Sequence, residues 1–178
     1  MNRPSRTLVV AALTVAVAGI LSGVAIGAGV ASTTNTGGTS VERVNVVRST
    51  DVFHTGSTAF TNVAGATSKI TVPAGHRAVL VARFTAQEDC NVGDGSPTGS
   101  CMLRILLGEH EMQPASAGQI VDSVQAGRAA GIRSAALDRS TAVLGPGTYT
   151  VRVQGRVTNA LMVFEMTDWH LTVERVDV

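Results

Sequence analysis

The sequence has few aromatic residues and only one lysine. Phe, Trp and Tyr together make up 3% of the 178 residues, with a single Trp and a single Tyr. Carbohydrate-binding sheets rely on stacked aromatic rings, so this scarcity argues against a sugar platform. The core must therefore be built mainly from Val, Ala, Leu and Ile. Val, together with Thr, favours the pleated surface of a β-sheet.

The sequence also lacks a large excess of positive or negative charge. Fourteen Lys and Arg residues stand against thirteen Asp and Glu residues, which leaves a formal net charge of +1. Proteins that bind nucleic acid usually carry a strongly basic surface. The near-neutral balance therefore excludes nucleic acid as a predicted partner.

The sequence also lacks the motifs of common catalytic and metal sites. It contains no GxSxG nucleophile motif and no CxxC pair. The four histidines, His54, His76, His110 and His170, show neither HxH nor HExxH spacing. No cofactor is predicted, and a domain without catalysis is favoured over an enzyme.

What the sequence does have is a long apolar N-terminal segment. Arg3 and Arg6 precede it, and residues 8–31 are almost wholly apolar. This order is typical of a signal peptide, with small residues favouring cleavage between Ala31 and Ser32. The alternative is an uncleaved membrane anchor, because about 20 apolar residues suffice to span a bilayer.

Three regions follow from this segment. Residues 1–31 are predicted to be a signal peptide or membrane anchor, and residues 32–40 form a Gly-, Ser- and Thr-rich flexible linker. Residues 41–178 form one domain, which is long enough to bury a core of its own. We expect this domain to be secreted or extracytoplasmic, with membrane contact only through residues 8–31 if they are not cleaved.

The domain sequence predicts short strands separated by Gly and Pro turns, after an apolar export helix. The clearest strands cover residues 41–47, 77–87, 101–107, 131–143 (with a break near Asp138), 149–157 and 161–176. Weaker candidates are residues 53–54, 60–63, 69–72, 109–112 and 120–121. About eight strands without helices predict an all-β fold, an antiparallel β-sandwich of jelly-roll type.

The last predicted strand changes the phase of its apolar residues. Phe164 and Met166 occupy even positions, whereas Trp169 and Leu171 occupy odd positions. Side chains alternate between the two faces of a strand. One extra residue near Asp168 would restore burial of both sets, so the sequence predicts a β-bulge there.

Cys90 and Cys101 are the only cysteines. The stretch between them is rich in Gly, Ser and Pro, as in a loop that joins two strands. In an exported protein an even cysteine count predicts a disulfide bond, here between Cys90 and Cys101. Free thiols or half of a metal site are the alternatives.

Acidic and amide side chains crowd the start of this cysteine loop, at Glu88, Asp89, Asn91 and Asp94. Ca²⁺ takes six to eight oxygen ligands, so a calcium-dependent adhesive module is one hypothesis. The spacing fits no EF-hand loop. The alternative is a solvated acidic loop without metal.

Asp168 and His170 are the candidate catalytic pair. Residues two apart on a regular strand point to one face, and a carboxylate beside an imidazole can create a general base. This hypothesis predicts an extracytoplasmic hydrolase or isomerase, with Glu88 or Asp138 as a further participant. The alternative is a polar outer face with Trp169 in the core.

Arginines occupy many polar strand positions, among them the candidate ligand-binding residues Arg83, Arg104, Arg152 and Arg156. Gathered on one sheet, they would bind an anionic cell-wall polymer or a surface protein through bidentate contacts. The alternative is that they serve solubility. A homo-oligomer that buries the two-sided apolar stretch at residues 79–81 is a further hypothesis.

Three stretches carry a resemblance to a family: TVPAGHRAVLVARFTAQEDC, LGPGTYTVRVQ and DWHLTVERV. The sequence from Thr67 to Val176 resembles small secreted proteins of actinobacteria whose function is unknown. The resemblance implies a signal-bearing β-sandwich, and it implies no catalytic residues.

Overall fold

A computed structural model describes residues 40–92, 98–125 and 131–178. These residues form strands and connecting loops, and none of their segments is a helix long and apolar enough to cross a membrane. The predicted signal peptide or anchor, its cleavage between Ala31 and Ser32, and most of the linker lie outside the described residues.

The described residues form ten strands. They are β1 Ser40–Ser49, β2 Phe53–Thr55, β3 Thr61–Val72, β4 Ala78–Val92, β5 Gly99–Leu107, β6 His110–Glu111, β7 Gln119–Val124, β8 Arg133–Ser140, β9 Gly147–Val157 and β10 Met162–Asp177.

The strands form two antiparallel sheets. Sheet A has the order β1-β10-β4-β8, with the short β2 also pairing with β10. Sheet B has the order β3-β9-β5-β6, with β7 also pairing with β5. The predicted all-β class and the two-sheet arrangement are confirmed, and the arrangement is consistent with a β-sandwich.

The core lies between the inner faces of the two sheets. Along β4 the even-numbered residues from Ala78 to Phe84 are fully buried, and along β9 Val151 and Val153 are fully buried. One hydrophobic cluster joins them to Leu103 on β5. Each large apolar side chain buried in this way contributes roughly 1.5–3 kcal/mol, so the two apolar stripes hold the sheets together.

Several predicted strand limits differ from the structure. Residues 60–63 and 69–72 belong largely to one strand, β3. The register of β3 against β9 shifts between Asn62 and Thr67, so the alternation of apolar and polar residues is interrupted there without ending the strand. β4 continues through the first cysteine to Val92, because β10 pairs with it to that point. β8 passes through Asp138 without a break. The prediction of about eight strands was low by the two short strands β2 and β6.

The predicted bulge in β10 is confirmed. Thr167 pairs with Gln87 and His170 pairs with Thr85, so two residues of β10 face one residue of β4. Asp168 accommodates the extra residue with a positive φ of 47°. Burial then changes parity, and the Trp169 side chain is 2% exposed.

The predicted disulfide between Cys90 and Cys101 is present. Cys90 lies on β4 in sheet A and Cys101 lies on β5 in sheet B, so the bond links the two sheets through the core. Both residues are fully buried. A disulfide is consistent with an extracytoplasmic location.

Candidate functional site

The candidate catalytic pair lies at an open depression of about 690 Å³ on sheet A. Asp168, Trp169 and His170 of β10 line it on one side, and Arg48 and Ser49 of β1 line it on the other. The β-bulge lies within this lining, at Asp168.

The contacts of the pair do not match those of a carboxylate–imidazole base. Both ring nitrogens of His170 lie near the Thr85 hydroxyl, at 3.0 and 3.1 Å. Within the described residues no ion pair joins Asp168 to His170. Asp168 and His170 are both exposed, on either side of the buried Trp169, so they share the outer face without contacting each other as an ion pair.

Trp169 is a core residue. Its ring stacks on Phe84 with a centroid distance of 6.2 Å. It also approaches Gly65 of β3, where a Cβ atom would meet the ring at 3.5 Å. Gly65 has a φ of 77°, which glycine adopts without strain. The alternative interpretation, a polar outer face with Trp169 in the core, describes its position.

Three of the four candidate ligand-binding arginines converge on the outer face of sheet B. Arg104 on β5 pairs with Gln154 on β9, and Arg152 and Arg156 lie two residues to either side of Gln154. We call Arg104, Arg152, Arg156 and the nearby Phe60 the arginine face.

Phe60 and Gln154 order the arginine face. The guanidinium carbons of Arg104 and Arg156 lie 4.0 Å and 4.7 Å from the Phe60 ring centroid. The Arg104 Nε donates a hydrogen bond to the Gln154 side-chain oxygen at 2.8 Å. Cation–π contacts and hydrogen bonds of this kind hold guanidinium planes in fixed positions.

The arginine face carries more positive than negative charge. Arg152 pairs with Glu109 at 2.6 Å, and the Glu109 side chain is 82% exposed. Among the described residues, Arg104 and Arg156 form no ion pair with a carboxylate. Two guanidinium charges on this face are therefore left without a counter-charge within those ranges.

The fourth arginine, Arg83, does not join this group, so only three of the four meet the condition of lying on one sheet. Arg83 lies on β4 in sheet A and forms a 2.7 Å ion pair with Glu174. The sequence shows only that an arginine occupies a polar strand position. The sheet to which that strand belongs depends on the pairing of distant segments.

The candidate calcium ligands do not form one group. The side chain of Glu88 points into the core, whereas Asp89 and Asn91 are partly exposed and joined by a 2.6 Å hydrogen bond. Asp94 lies outside the described residues. In the ranges that the structure describes, no three His, Cys, Asp or Glu residues are close enough to hold a metal ion.

Glu88 is the most unusual ionisable group of the described chain. It is 2% exposed, and neither carboxylate oxygen has a hydrogen-bond partner within the described ranges. Its pKa is raised from 4.5 to about 7, and burial is the largest cause. The negative charges of Asp122 and, more weakly, Asp89 contribute to this rise, whereas Arg133 opposes it. Arg133 itself pairs with Asp122.

Alternation in β4 could have revealed the burial of Glu88. It lies in phase with Leu80, Ala82 and Phe84, which the sequence assigns to one apolar face. In the sequence we considered Glu88 as an oxygen ligand of an exposed loop and as a further catalytic participant, but not as a core residue. Phe60 was missed for another reason, since its arginine neighbours lie on β5 and β9, far away in the chain.

The apolar stretch proposed for self-association lies on the outer face of sheet A. Val79 and Val81 are partly buried there. Val44 and Val46 of the adjoining edge strand β1 are about half exposed, at 51% and 48%. Self-association through this face stays a prediction.

No protein-family model and no curated protein matches the chain. Among solved structures, it is similar to dimeric latent PorU from Porphyromonas gingivalis, with 13% sequence identity and a TM-score of 0.33. The match covers 80% of this chain and 14% of the PorU chain. At this TM-score the likeness carries no argument about function.

Proposed function

We propose that this chain is an exported, non-catalytic domain of jelly-roll type that binds an anionic cell-surface polymer through its arginine face. The observation that carries the proposal is the convergence of Arg104, Arg152 and Arg156 around Gln154 and Phe60. A wall polymer with carboxylate or phosphate groups is the ligand class that this chemistry fits.

Strand order supports the jelly-roll type. If the short β2 and β6 are set aside, eight strands remain, four in each sheet. Successive strands alternate between the sheets, except for β5 and β7, which pair with each other in sheet B. The first and last strands, β1 and β10, are neighbours. Interleaved connections of this kind are those of two Greek keys.

Export is supported by two independent features. The buried bond between Cys90 and Cys101 is of the kind that persists in oxidising compartments. Residues 8–31 form the apolar segment that a signal peptide or anchor requires. The resemblance to secreted actinobacterial proteins agrees with both features.

The spacing of the arginine face suits a linear polymer. Arg152 and Arg156 are four residues apart on β9, which corresponds to about 13 Å along a strand. Arg104 lies beside the midpoint of this interval, on the adjacent strand β5. A chain laid along β9 would therefore meet three guanidinium groups in succession, two of them free of a carboxylate partner among the described residues.

Binding of polygalacturonate, a carboxylate polymer, tests the proposal. We expect the double variant Arg104→Gln/Arg156→Gln to bind at least tenfold more weakly than the wild type and with less dependence on salt, because two charge contacts are lost. The matched control is Arg83→Gln, which removes a strand arginine from sheet A. Unchanged binding by the double variant, or an equal loss with Arg83→Gln, would refute the proposal.

A second candidate function follows from the depression lined by Asp168 and His170. Its volume and the imidazole in its wall are the observations that support a small-molecule hydrolase or isomerase as this second candidate. Activity towards ester or glycoside model substrates that disappears in His170→Ala, but survives in Arg104→Gln/Arg156→Gln, would support this candidate over the first one.

A further inference from the structure

The outer edge of β8 carries backbone groups that are free to pair. β8 (Arg133–Ser140) is the last strand of sheet A and bonds to β4 on one side. On the other side Ser140 exchanges two backbone hydrogen bonds with Gln113, each 2.8 Å long. The protein therefore already pairs a short extended segment with this edge, at one end.

The rest of the edge has the same geometry, and no described residue pairs with it. In an antiparallel strand, every second residue directs both its N–H and its C=O to the same side. Ser134, Ala136 and Asp138 are in phase with Ser140, and their N–H groups have no backbone partner among the described residues. The chain leaves the edge after Gln113, whose side chain accepts a hydrogen bond from the Ala115 N–H.

Arg139 places a guanidinium at this edge. Its Nη1 donates a 2.8 Å hydrogen bond to the carbonyl of Asp138, one of the residues that face the free side. Arg139 is only 7% exposed, and its Nε has no hydrogen-bond partner within the described residues. None of the ion pairs found in those ranges includes Arg139.

A buried guanidinium without an anion is destabilising, because arginine stays charged and loses its hydration. Beside it a groove of about 310 Å³ separates β8 from β7. Residues 119–121 form one wall, and residues 134–139, including Arg139, form the other. The groove therefore offers strand-pairing groups along its length and, at its end, one guanidinium that no described carboxylate pairs with.

We propose that the groove between β7 and β8 is a strand-addition site for an extended segment of a partner protein, with an acidic side chain that pairs with Arg139. The peptide backbone bonds to Ser134, Ala136 and Asp138, continuing the pairing that Gln113 begins at Ser140. An inorganic anion would satisfy Arg139 but would leave the strand edge unpaired. This site lies apart from the arginine face and does not depend on it.

The acidic group comes from another chain. Residues 1–39 and 126–130 contain no Asp or Glu, so these parts of the protein cannot supply it. Residues 93–97 include Asp94 but follow Val92, which lies ten residues along β4 from Ala82, the residue paired with Arg139. Ten residues of strand span about 33 Å, so that stretch begins far from the guanidinium.

Two synthetic peptides test the proposal: acetyl-Thr-Val-Glu-Val-Thr-amide and the same peptide with Gln in place of Glu. We expect the wild-type protein to bind the Glu peptide at least tenfold more tightly than the Gln peptide. Binding should slow hydrogen exchange at the amides of Ser134, Ala136 and Asp138. In Arg139→Met the preference should disappear, whereas in the matched control Arg48→Met, on β1 at the opposite edge of sheet A, it should persist.

A second test modifies the peptide and leaves the protein unaltered, so that misfolding of a protein variant cannot explain the result. A Glu peptide that is N-methylated at the residues facing β8 cannot donate to the strand edge, and we expect its affinity to fall at least tenfold for the unaltered protein. Equal binding of the methylated peptide, equal binding of the Glu and Gln peptides, or no binding at millimolar concentration would overturn the proposal. So would stabilisation by acetate alone that matches the peptide's effect.

Discussion

The guanidinium of Arg104 lies 4.0 Å from the centre of the Phe60 ring, and Arg156 lies on the same ring at 4.7 Å. The two arginines belong to neighbouring strands, and both carry a positive charge. The negative π face of Phe60 offsets their mutual repulsion and holds them close together. Because the two cations already lie in fixed, adjacent positions, they need little rearrangement to bind a polyanion.

Replacement of Phe60 should loosen this arrangement. In Phe60→Leu the apolar volume largely remains, but both cation–π contacts are lost, at about 0.5–1 kcal/mol each. We expect the free energy of unfolding to fall by about 1–2 kcal/mol and polygalacturonate binding to weaken several-fold. Urea titration and calorimetry measure the two effects. Unchanged stability and unchanged binding in Phe60→Leu would contradict the role of the ring.

Glu88 should make stability depend on pH. Its pKa is raised to about 7 in the folded protein, against 4.5 as the ordinary value, so the folded state binds the proton more tightly. The stabilisation of the folded state by the protonated Glu88 is therefore complete below pH 4.5, and it is lost as the pH rises to about 7. The shift corresponds to a loss on the order of 3 kcal/mol. Glu88→Gln should remove this dependence and be the more stable protein above pH 7.

Urea unfolding at a series of pH values measures this effect as the difference between the wild type and Glu88→Gln. Taking the difference removes the contribution of other titrating groups. Glu42→Gln, on the exposed strand β1, is the matched control and should leave the pH dependence in place. A constant difference between wild type and Glu88→Gln from pH 4 to 8 would show that Glu88 titrates normally.

Loss of the disulfide should destabilise the protein without changing its fold. Cys90 and Cys101 are separated by 11 residues and link the two sheets. In the chain-entropy account, closing a loop of this length stabilises by roughly 3 kcal/mol. We expect Cys90→Ala/Cys101→Ala to melt roughly 10 °C lower while keeping a β-sheet circular dichroism spectrum. A melting temperature within 2 °C of the wild type would contradict this expectation.

Asp168 should respond to substitution as a bulge residue. Its φ of 47° lies in the left-handed region, which favours glycine and strongly disfavours β-branched residues. We expect Asp168→Gly to be as stable as the wild type or slightly more stable, and Asp168→Val to lose about 1–2 kcal/mol. Thermal melts of both variants measure this, and equal stability of the two would argue against the bulge. Activity towards the ester or glycoside substrates that is retained by Asp168→Gly would exclude Asp168 as the catalytic carboxylate.

Much of the fold could be predicted because apolar and polar residues alternate along a half-buried strand, with a period of two residues. The change of phase between Met166 and Trp169 located the bulge, and the cysteine pair located the link between strands β4 and β5. The limits of β3 and β4 were harder to predict. They depend on how far β9 and β10 run beside them, which local residues do not encode.

The candidate sites were harder to predict than the strands, since a site joins residues that pairing brings together. Arg104 and Arg152 meet because β5 pairs with β9, whereas Arg83, in an equally polar position, lies in the other sheet. Arg139 carries no distinguishing signal in the sequence. Its importance arises from burial at the end of a groove between two strand edges.

The sequence by itself determined the all-β class, the alternating inward and outward residues, the bulge at Asp168 and the bond between Cys90 and Cys101. These features follow from local chain geometry and from the pairing of two cysteines, so they can be read along the chain. Only the tertiary structure decided which arginines share a face, that Glu88 lies close to Asp122, and that most of the outer edge of β8 has no partner among the described residues. Those properties depend on which distant strands become neighbours, because burial and charge proximity arise only when the two sheets close over a common core.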